Sequence, residues 1–469
     1  NTSGIIPSEN INSSSWKFVL FLIFQIISFL LAISLITLQF LALYYYWGNI
    51  NLMIDSIGFL AGFGSLYIIA VYIVIFWKDI CKVFDTFETN SIFCNELVRS
   101  NQRHMKILND SLNLAQILNK AIPTIVFVSA IMYILPTFIQ HLMTSDEEIL
   151  QEAGTTDGFT KHFIFVMWLP PVLKQKFIIR VTYALQCICL LIEISFAAAI
   201  IPFHIVLLLY TGTQFKIISS IIREMDEVMF RIENSGDLLY EVPEQLFTTD
   251  RKTLSDLFQS PMPTKLPKSN MDEDEGIVLS TERQLTSKTL QNVLQEGDLN
   301  RPPERFNDQS SAEIIPTEEH DPASLYLLEC IKLHQACIKL SAEVSSILSP
   351  SLCIGALSIT AFTLTNIFQL SLVINAKYAI STIIYPSIMF VYSWFGELVI
   401  SESMGVGDTL YESLWYNRSK RYRGLLPMVL LRAQNPVCMK AGPLWKISVE
   451  FSMQLLNTMY TFFTVLRQV

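Results

Sequence analysis

A chain of 469 residues that is 51% hydrophobic and 16% charged, with a mean hydropathy of +0.40, is too apolar for an ordinary soluble protein of its size. Its formal net charge of −9 comes from one segment, since residues 236–323 hold 18 Asp and Glu against 8 Lys and Arg, a balance of −10. No basic stripe interleaved with aromatics marks a nucleic-acid binder. The six histidines are scattered without metal-ligand spacing, and P-loop, HExxH and GxSxG motifs are absent, so neither an enzyme nor a cofactor site is expected.

Seven long apolar runs, at 18–46, 57–77, 121–143, 178–210, 347–374, 379–400 and 444–466, are each near or above the ~20 residues that cross a bilayer as a helix. Run one is too long for the core of a signal peptide, and Trp16-Lys17 is a weak leader, so it reads as a retained span. Run two contains GFLAGFG. Its Gly58/Gly62 pair suits close helix packing better than a nucleotide loop. The connection 144–177 carries Asp146, Glu147, Glu148, Glu152 and Asp157 against three lysines. It reads as a solvated loop, or as a mildly negative vestibule that concentrates cations.

Run four holds Glu193, Pro202 and His204. An ionisable group at membrane depth faces protein or water, so Glu193 is either a functional group or an interhelical contact. Pro202 marks an expected kink, and the helical pattern continues through 217–232. Residues 236–323 hold 8 of the 19 prolines and few aromatics, which predicts a mostly disordered insertion that cannot offset its ordering entropy. Helix is expected to resume near Ser324, with Leu325, Leu328, Ile331, Gln335 and Ile338 as its stripe. After run six the chain is too polar for lipid but helical in pattern, and RGLLPMVLLRAQNP then forms a short amphipathic piece.

Lys and Arg set the orientation. Lys17, Lys78, Lys82, Arg99, Arg103, Lys106, Lys120, Arg418, Lys420, Arg421, Arg423, Arg432 and Lys440 fall on one side of the seven spans. Lys161, Lys174, Lys176, Lys377 and Arg467 fall on the other. The expected topology therefore has a cytoplasmic N-terminus and an extracellular C-terminus, the reverse of G-protein-coupled receptors. No cysteine falls in an outer loop, and the sequons at Asn12 and Asn417 would face the cytoplasm.

In the last run Thr458, Thr461, Val465 and Gln468 share one helical face, with Val469 beside them. Small and polar side chains on an apolar span suit a water-filled lumen. Alternatively the threonines bond back to their own helix and the stripe is a packing seam. In a symmetric oligomer Val465 and Val469 would form rings that gate by dewetting, and Gln468 a polar ring that meets permeating ions. Arg467, turned outward, would reach the headgroups.

The segment GELVISESMGVGDTLYESLWYN, with MYTFFTVLRQV at the end, resembles the insect odorant receptors. Thr461-Phe462, five further residues and Gln468-Val469 also match the looser end signature of the related gustatory receptors. The resemblance covers the layout of all seven spans and is specific at residue level only toward the end of the chain. It implies an all-α, seven-transmembrane-helix subunit of a tetrameric, ligand-gated, non-selective cation channel. Each subunit gives its last helix to a central pore, with gate and selectivity positions at Val465, Gln468 and Val469. It also implies an odorant pocket in the outer half of spans two, three, four and six.

Candidates at that depth are Phe59, Phe63, Leu66 and Tyr67 on span two, and Tyr133, Thr137 and Phe138 on span three. Span four adds Tyr183 and Cys187, and span six Ile384, Tyr385 and Ile388. Each is also a plain packing residue. Together they would make a greasy cavity with a few hydroxyls, suited to a small volatile. The expected layout is a cytoplasmic segment 1–16, spans one to four over 17–211 and a cytoplasmic part 212–346 containing the insertion. Spans five and six follow over 347–400, a cytoplasmic anchor over 401–443 and the pore-lining span over 444–469.

The long acidic insertion resembles the shared coreceptor, whose loop is linked with calmodulin, whereas the ending TVLRQV resembles an odour-tuning subunit. The reading is a tuning subunit in a heterotetramer with the coreceptor, in the plasma membrane of olfactory neurons, with lipid around it and calmodulin as a partner of the insertion. A homotetramer, a divergent coreceptor and a gustatory-receptor-like subunit stay open. So does the rival class, a receptor signalling through a G protein. Against that class stand the topology and the lack of a DRY-like motif after span three and an NPxxY in the last span.

Overall fold

The computed structural model describes residues 15–89, 92–99, 101–143, 163–168, 175–235, 321–372, 376–443 and 445–466. The chain divides into two units, Asn1–Leu239 with Pro322–Val469, and Tyr240–Asp321. The description concerns the first. All but the last three residues of the predicted insertion lie outside the described residues, as do the acidic residues of the 144–177 connection.

Helix α1 spans Ser15–Tyr45 and α2 Ile50–Ile75. Asn49 caps α2, its side chain accepting from the Leu52 amide, so this helix begins well before the apolar run does. Then follow α3 (Trp77–Thr89), a 3-10 turn at Ile92–Cys94, α4 (Glu96–Arg99) and α5 (Gln102–Met143). Helix α6, Lys176–Ser235, runs 60 residues without a break and carries Pro202 inside it. It is succeeded by α7 (Pro322–Leu372), α8 (Ala376–Glu412), α9 (Lys420–Ala433) and a hairpin of β1 (Lys440–Ala441) and β2 (Trp445–Lys446). The last described helix is α10 (Val449–Leu466). At 1.5 Å per residue α6 is about 90 Å long, roughly three times the hydrocarbon thickness, so its far end must stand clear of any bilayer.

Among the described residues six helices are long and apolar enough to cross a membrane: Ile26–Tyr45, Ile50–Ile75, Gln102–Ile139, Phe177–Arg231, Pro322–Leu372 and Ala376–Glu412. The 18-residue α10 is outside this set, being shortened at its start and diluted by Glu450, Gln454, Asn457 and three threonines. The predicted seventh span starts late because 445–446 pair with 440–441 as strand before the helix begins. Ser448 accepts from the Phe451 amide and Glu397 from the Val449 amide, which satisfies the first turn of α10.

The middle of the bundle is α6, with Ile205, Leu208, Phe215, Ile217, Ile218 and Met225 fully buried against α5, α7 and α8. The stripe expected on α7 is displaced. Ala323, Leu327, Cys330, His334, Cys337, Ser341, Val344 and Leu348 are buried, whereas Leu325, Leu328, Ile331 and Ile338 are half-buried and Gln335 is exposed. Small and polar side chains face inward because α7 sits close to α6. Cys337 donates to Gln214 Oε1 at 3.3 Å, and the Tyr326 hydroxyl to the Ile221 carbonyl at 3.2 Å. Helix onset itself is as expected, with Pro322 in the first turn, where its missing N–H is no loss.

The end of the bundle that holds α9 is cross-linked by charge. Asp226 of α6 accepts from Arg418 at 2.8 Å and from the Leu414 amide at 3.0 Å. Glu224 lies 3.4 Å from His104 and accepts from Asn101, and Glu227 pairs with Arg103 at 3.2 Å. Tyr422 of α9 is fully buried beside Met225. Burial pushes its phenol up to about 12, so it stays neutral.

The Gly58/Gly62 pair sits where it was expected, at a close crossing. A Cβ on Gly62 would lie 2.7 Å from the Phe362 ring, and one on Gly58 would run into Thr365, so α7 depends on both glycines to approach α2.

A candidate ligand cavity and the helix beneath it

A cavity of about 130 Å³ lies among α2, α5, α6, α7 and α8. That is room for roughly ten non-hydrogen atoms, since a single water needs ~10–15 Å³ on this measure. Of the predicted pocket residues, Phe63, Leu66, Tyr133, Ile384, Tyr385 and Ile388 line it together. Phe59 packs on Phe63 with ring centroids 4.6 Å apart and lines a small neighbouring pocket instead. Tyr67 is turned into a different cluster, edge-on to Phe196 at 5.6 Å. Tyr183 is buried and Cys187 half-buried in the packing behind the cavity wall, Thr137 is half-buried away from it, and Phe138 is 43% exposed on the outside of α5.

The reading from sequence omits α7. Ser351, Gly355, Ile359 and Phe362 supply a whole wall, and a Cβ on Gly355 would meet nothing within 4 Å. The run SPSLCIGALS, dense in small residues, is the signal that could have marked it. Glu193 and His204 of α6 also line the cavity and are nearly fully buried. His204 is held by Ser351 at 3.1 Å and by the Tyr392 hydroxyl at 3.4 Å.

Near one end of the cavity lies the segment 163–167, which is buried throughout, against the expectation of a solvated loop. Phe165 packs at a tilt on Phe59, with ring centroids 4.2 Å apart, and reaches Phe63 at 5.6 Å. A buried irregular strand needs partners for its peptide groups, and distant side chains supply them. Gln186 accepts from the Ile164 amide at 2.9 Å and donates to the Phe165 carbonyl at 3.2 Å. Lys377 donates to the Ile164 carbonyl at 2.9 Å and Gln39 to the Val166 carbonyl at 2.7 Å.

The other end is formed by Met389, Tyr392 and Ile447. Ile447 follows β2 directly and precedes α10, and its amide donates to Met439 at 2.9 Å. Ser452 in the first turn of α10 donates to the Met389 carbonyl at 3.4 Å and contacts Ser393. Residues that wall the cavity thus touch the start of the last helix. On α10 Thr458, Thr461 and Val465 are exposed, and both threonines bond back to the carbonyls of Gln454 and Asn457 at 2.8 and 2.9 Å. The back-bonding alternative is therefore met, but the stripe is no packing seam within this chain. Gln468 and Val469 lie outside the described residues.

The chain resembles odorant receptor Or2 of Anopheles gambiae, 29% identical over 156 residues, which is 32% of this chain and 41% of that protein. It resembles odorant receptor 10 of Aedes albopictus, 26% identical over 187 residues, 39% of this chain and 48% of that protein. The matched segments thus span less than half the length of these relatives. The insect olfactory receptor OR5 from Machilis hrabei, solved in complex with eugenol, superposes over 99% of this chain and 93% of its own with a TM-score of 0.64. At 12% identity this is a likeness of fold alone. The profile described as 7tm Odorant receptor matches residues 49–460, and the chain belongs to that family of multi-pass membrane receptors.

Proposed function

We propose that the chain is the odorant-binding subunit of a ligand-gated, non-selective cation channel. A small volatile enters the cavity, and the last helices of several subunits surround a common pore. The observation that carries this is the shared wall: Met389 and Ile447 bound the cavity, Met389 also accepts from Ser452 in the first turn of α10, and Ile447 leads directly into that helix. A ligand that fits better when α10 leans away shifts the population toward an open pore. A differential affinity of ~3–5 kcal/mol summed over the assembly suffices for a mostly closed channel.

In this reading α10 is the seventh span, the N-terminus is cytoplasmic, the C-terminus is outside, and the assembly is a tetramer shared with a coreceptor. Support comes from the Lys and Arg asymmetry and from the exposed Thr458, Thr461 and Val465 face. The complex of OR5 with eugenol supports a small volatile as the ligand class. Val465, Gln468 and Val469 are the proposed gate and selectivity residues, with calmodulin a candidate partner for the insertion.

Expression in oocytes with and without a coreceptor, screened against volatiles, tests the proposal. Ligand-evoked cation current only from the pair is the expected result. Current from this chain alone would remove the coreceptor from the account, and silence in every combination would contradict the channel.

A further inference from the structure

Glu193 is a carboxyl buried in the cavity wall without an ion-pair partner among the described residues. It is 2% exposed, its Oε2 finds no hydrogen-bond partner, and no Lys or Arg among the described residues pairs with it. It lines the cavity at the level of Phe63, Tyr133 and Ile194. The buried Tyr67 hydroxyl is close enough to act on the Glu193 carboxyl, as are Tyr133 and Tyr385 of the wall, but neither the Tyr67 hydroxyl nor Glu193 Oε2 meets a partner in hydrogen-bond geometry. The serines of the wall are committed elsewhere: Ser65, Ser129, Ser358 and Ser381 turn their O–H groups to the carbonyls of Gly62, Val126, Gly355 and Lys377. Lys377, on the same helix as Ser381, donates to the Ile164 carbonyl and lies 4.8 Å from the Tyr133 ring. An unsatisfied acceptor in an apolar cavity costs free energy until something donates to it.

We infer that Glu193 is a specificity-determining residue, and that the cavity selects small apolar molecules carrying a hydrogen-bond donor, an alcohol or amine, whose O–H or N–H docks on the Glu193 carboxyl. This rests on the cavity being the ligand site. The body of the ligand fills the aromatic and aliphatic part, of roughly ten non-hydrogen atoms. An isomer of the same size with its oxygen capped cannot donate. Sites built around a buried polar group reject such analogues strongly.

The test compares isomers, 1-octanol with 1-methoxyheptane and 2-phenylethanol with benzyl methyl ether, as half-maximal concentrations for current in cells expressing this chain with a coreceptor. The alcohol of at least one pair is expected to be more potent than its ether by roughly a hundredfold. Glu193→Leu collapses the preference to a few-fold, and Glu193→Gln, which keeps an acceptor, retains it. Equal potency of alcohol and ether, or a preference unchanged in Glu193→Leu, overturns the inference. Gly355→Phe separates the two levels. If it silences both members of a pair while Glu193→Leu changes nothing, the cavity stands and only the role of Glu193 falls. If it leaves both responses intact, the cavity itself is wrong. Should no probe evoke current, the same pairs are compared by the rise in Tm of the purified chain, and no rise with either alcohol overturns the inference.

Discussion

Gly355→Phe is expected to reduce sensitivity to ligand severely while leaving folding intact. A Cβ at this position meets nothing within 4 Å, so the new side chain enters open space rather than a packed interface. A phenyl ring takes up most of a cavity of about 130 Å³, and a ligand that once sat there must compete with a covalently attached occupant. The loss should be a hundredfold or more in sensitivity, about 3 kcal/mol. The measurement is a dose–response curve beside surface labelling of the same cells. Normal surface level with an unchanged curve would separate the cavity from the response.

Gly396→Ala is expected to damage the protein more than any other glycine-to-alanine change near the last helix. Within a helix this substitution is ordinarily favourable by ~1 kcal/mol. Here the added methyl runs into the Ile447 carbonyl and lies 2.6 Å from Ile447 Cγ2. Ile447 is fully buried and leads into α10, so the backbone must move where the cavity wall meets the helix. Overpacking of this kind costs ~1–3 kcal/mol. Gly405→Ala, where nothing lies within 4 Å, is the control and should be neutral or stabilising. A lower Tm or shifted channel opening in Gly396→Ala beside an unaffected Gly405→Ala is the expected pair. Two neutral variants would show that this crossing is not tight.

The helices were legible because apolar runs of this length leave few alternatives, and the extension of α6 followed from its continuing pattern past the membrane. Gly58 and Gly62 were legible for the same reason that Gly396 was not. A GxxxG pair advertises a crossing in sequence, whereas the partner of Gly396 is a loop residue more than forty positions away. Faces were harder than spans. Choosing pocket residues by depth brings in Tyr67, Thr137, Phe138, Tyr183 and Cys187, but adjacent helical residues differ by about 100° in direction. Depth alone therefore does not say which of them reaches a cavity. The α7 stripe was misjudged by following the largest aliphatic residues, when close packing on α6 favours Cys330, Cys337 and Ser341. The burial of 163–167 was hidden because its hydrogen bonds come from Gln39, Gln186 and Lys377, none of which is local.

The central claim is that the exposed face of α10 borders the path of the ions. Thr461→Cys measures it most directly, since Thr461 is exposed on that face and its hydroxyl bonds back to the Asn457 carbonyl of its own helix. A membrane-impermeant thiol reagent, applied from outside to cells expressing this variant with a coreceptor, should reduce the current irreversibly, and faster while agonist is present. The unsubstituted chain under the same treatment should be unaffected. A current through Thr461→Cys that the reagent leaves unchanged, with agonist present and the variant at the surface, would contradict the account.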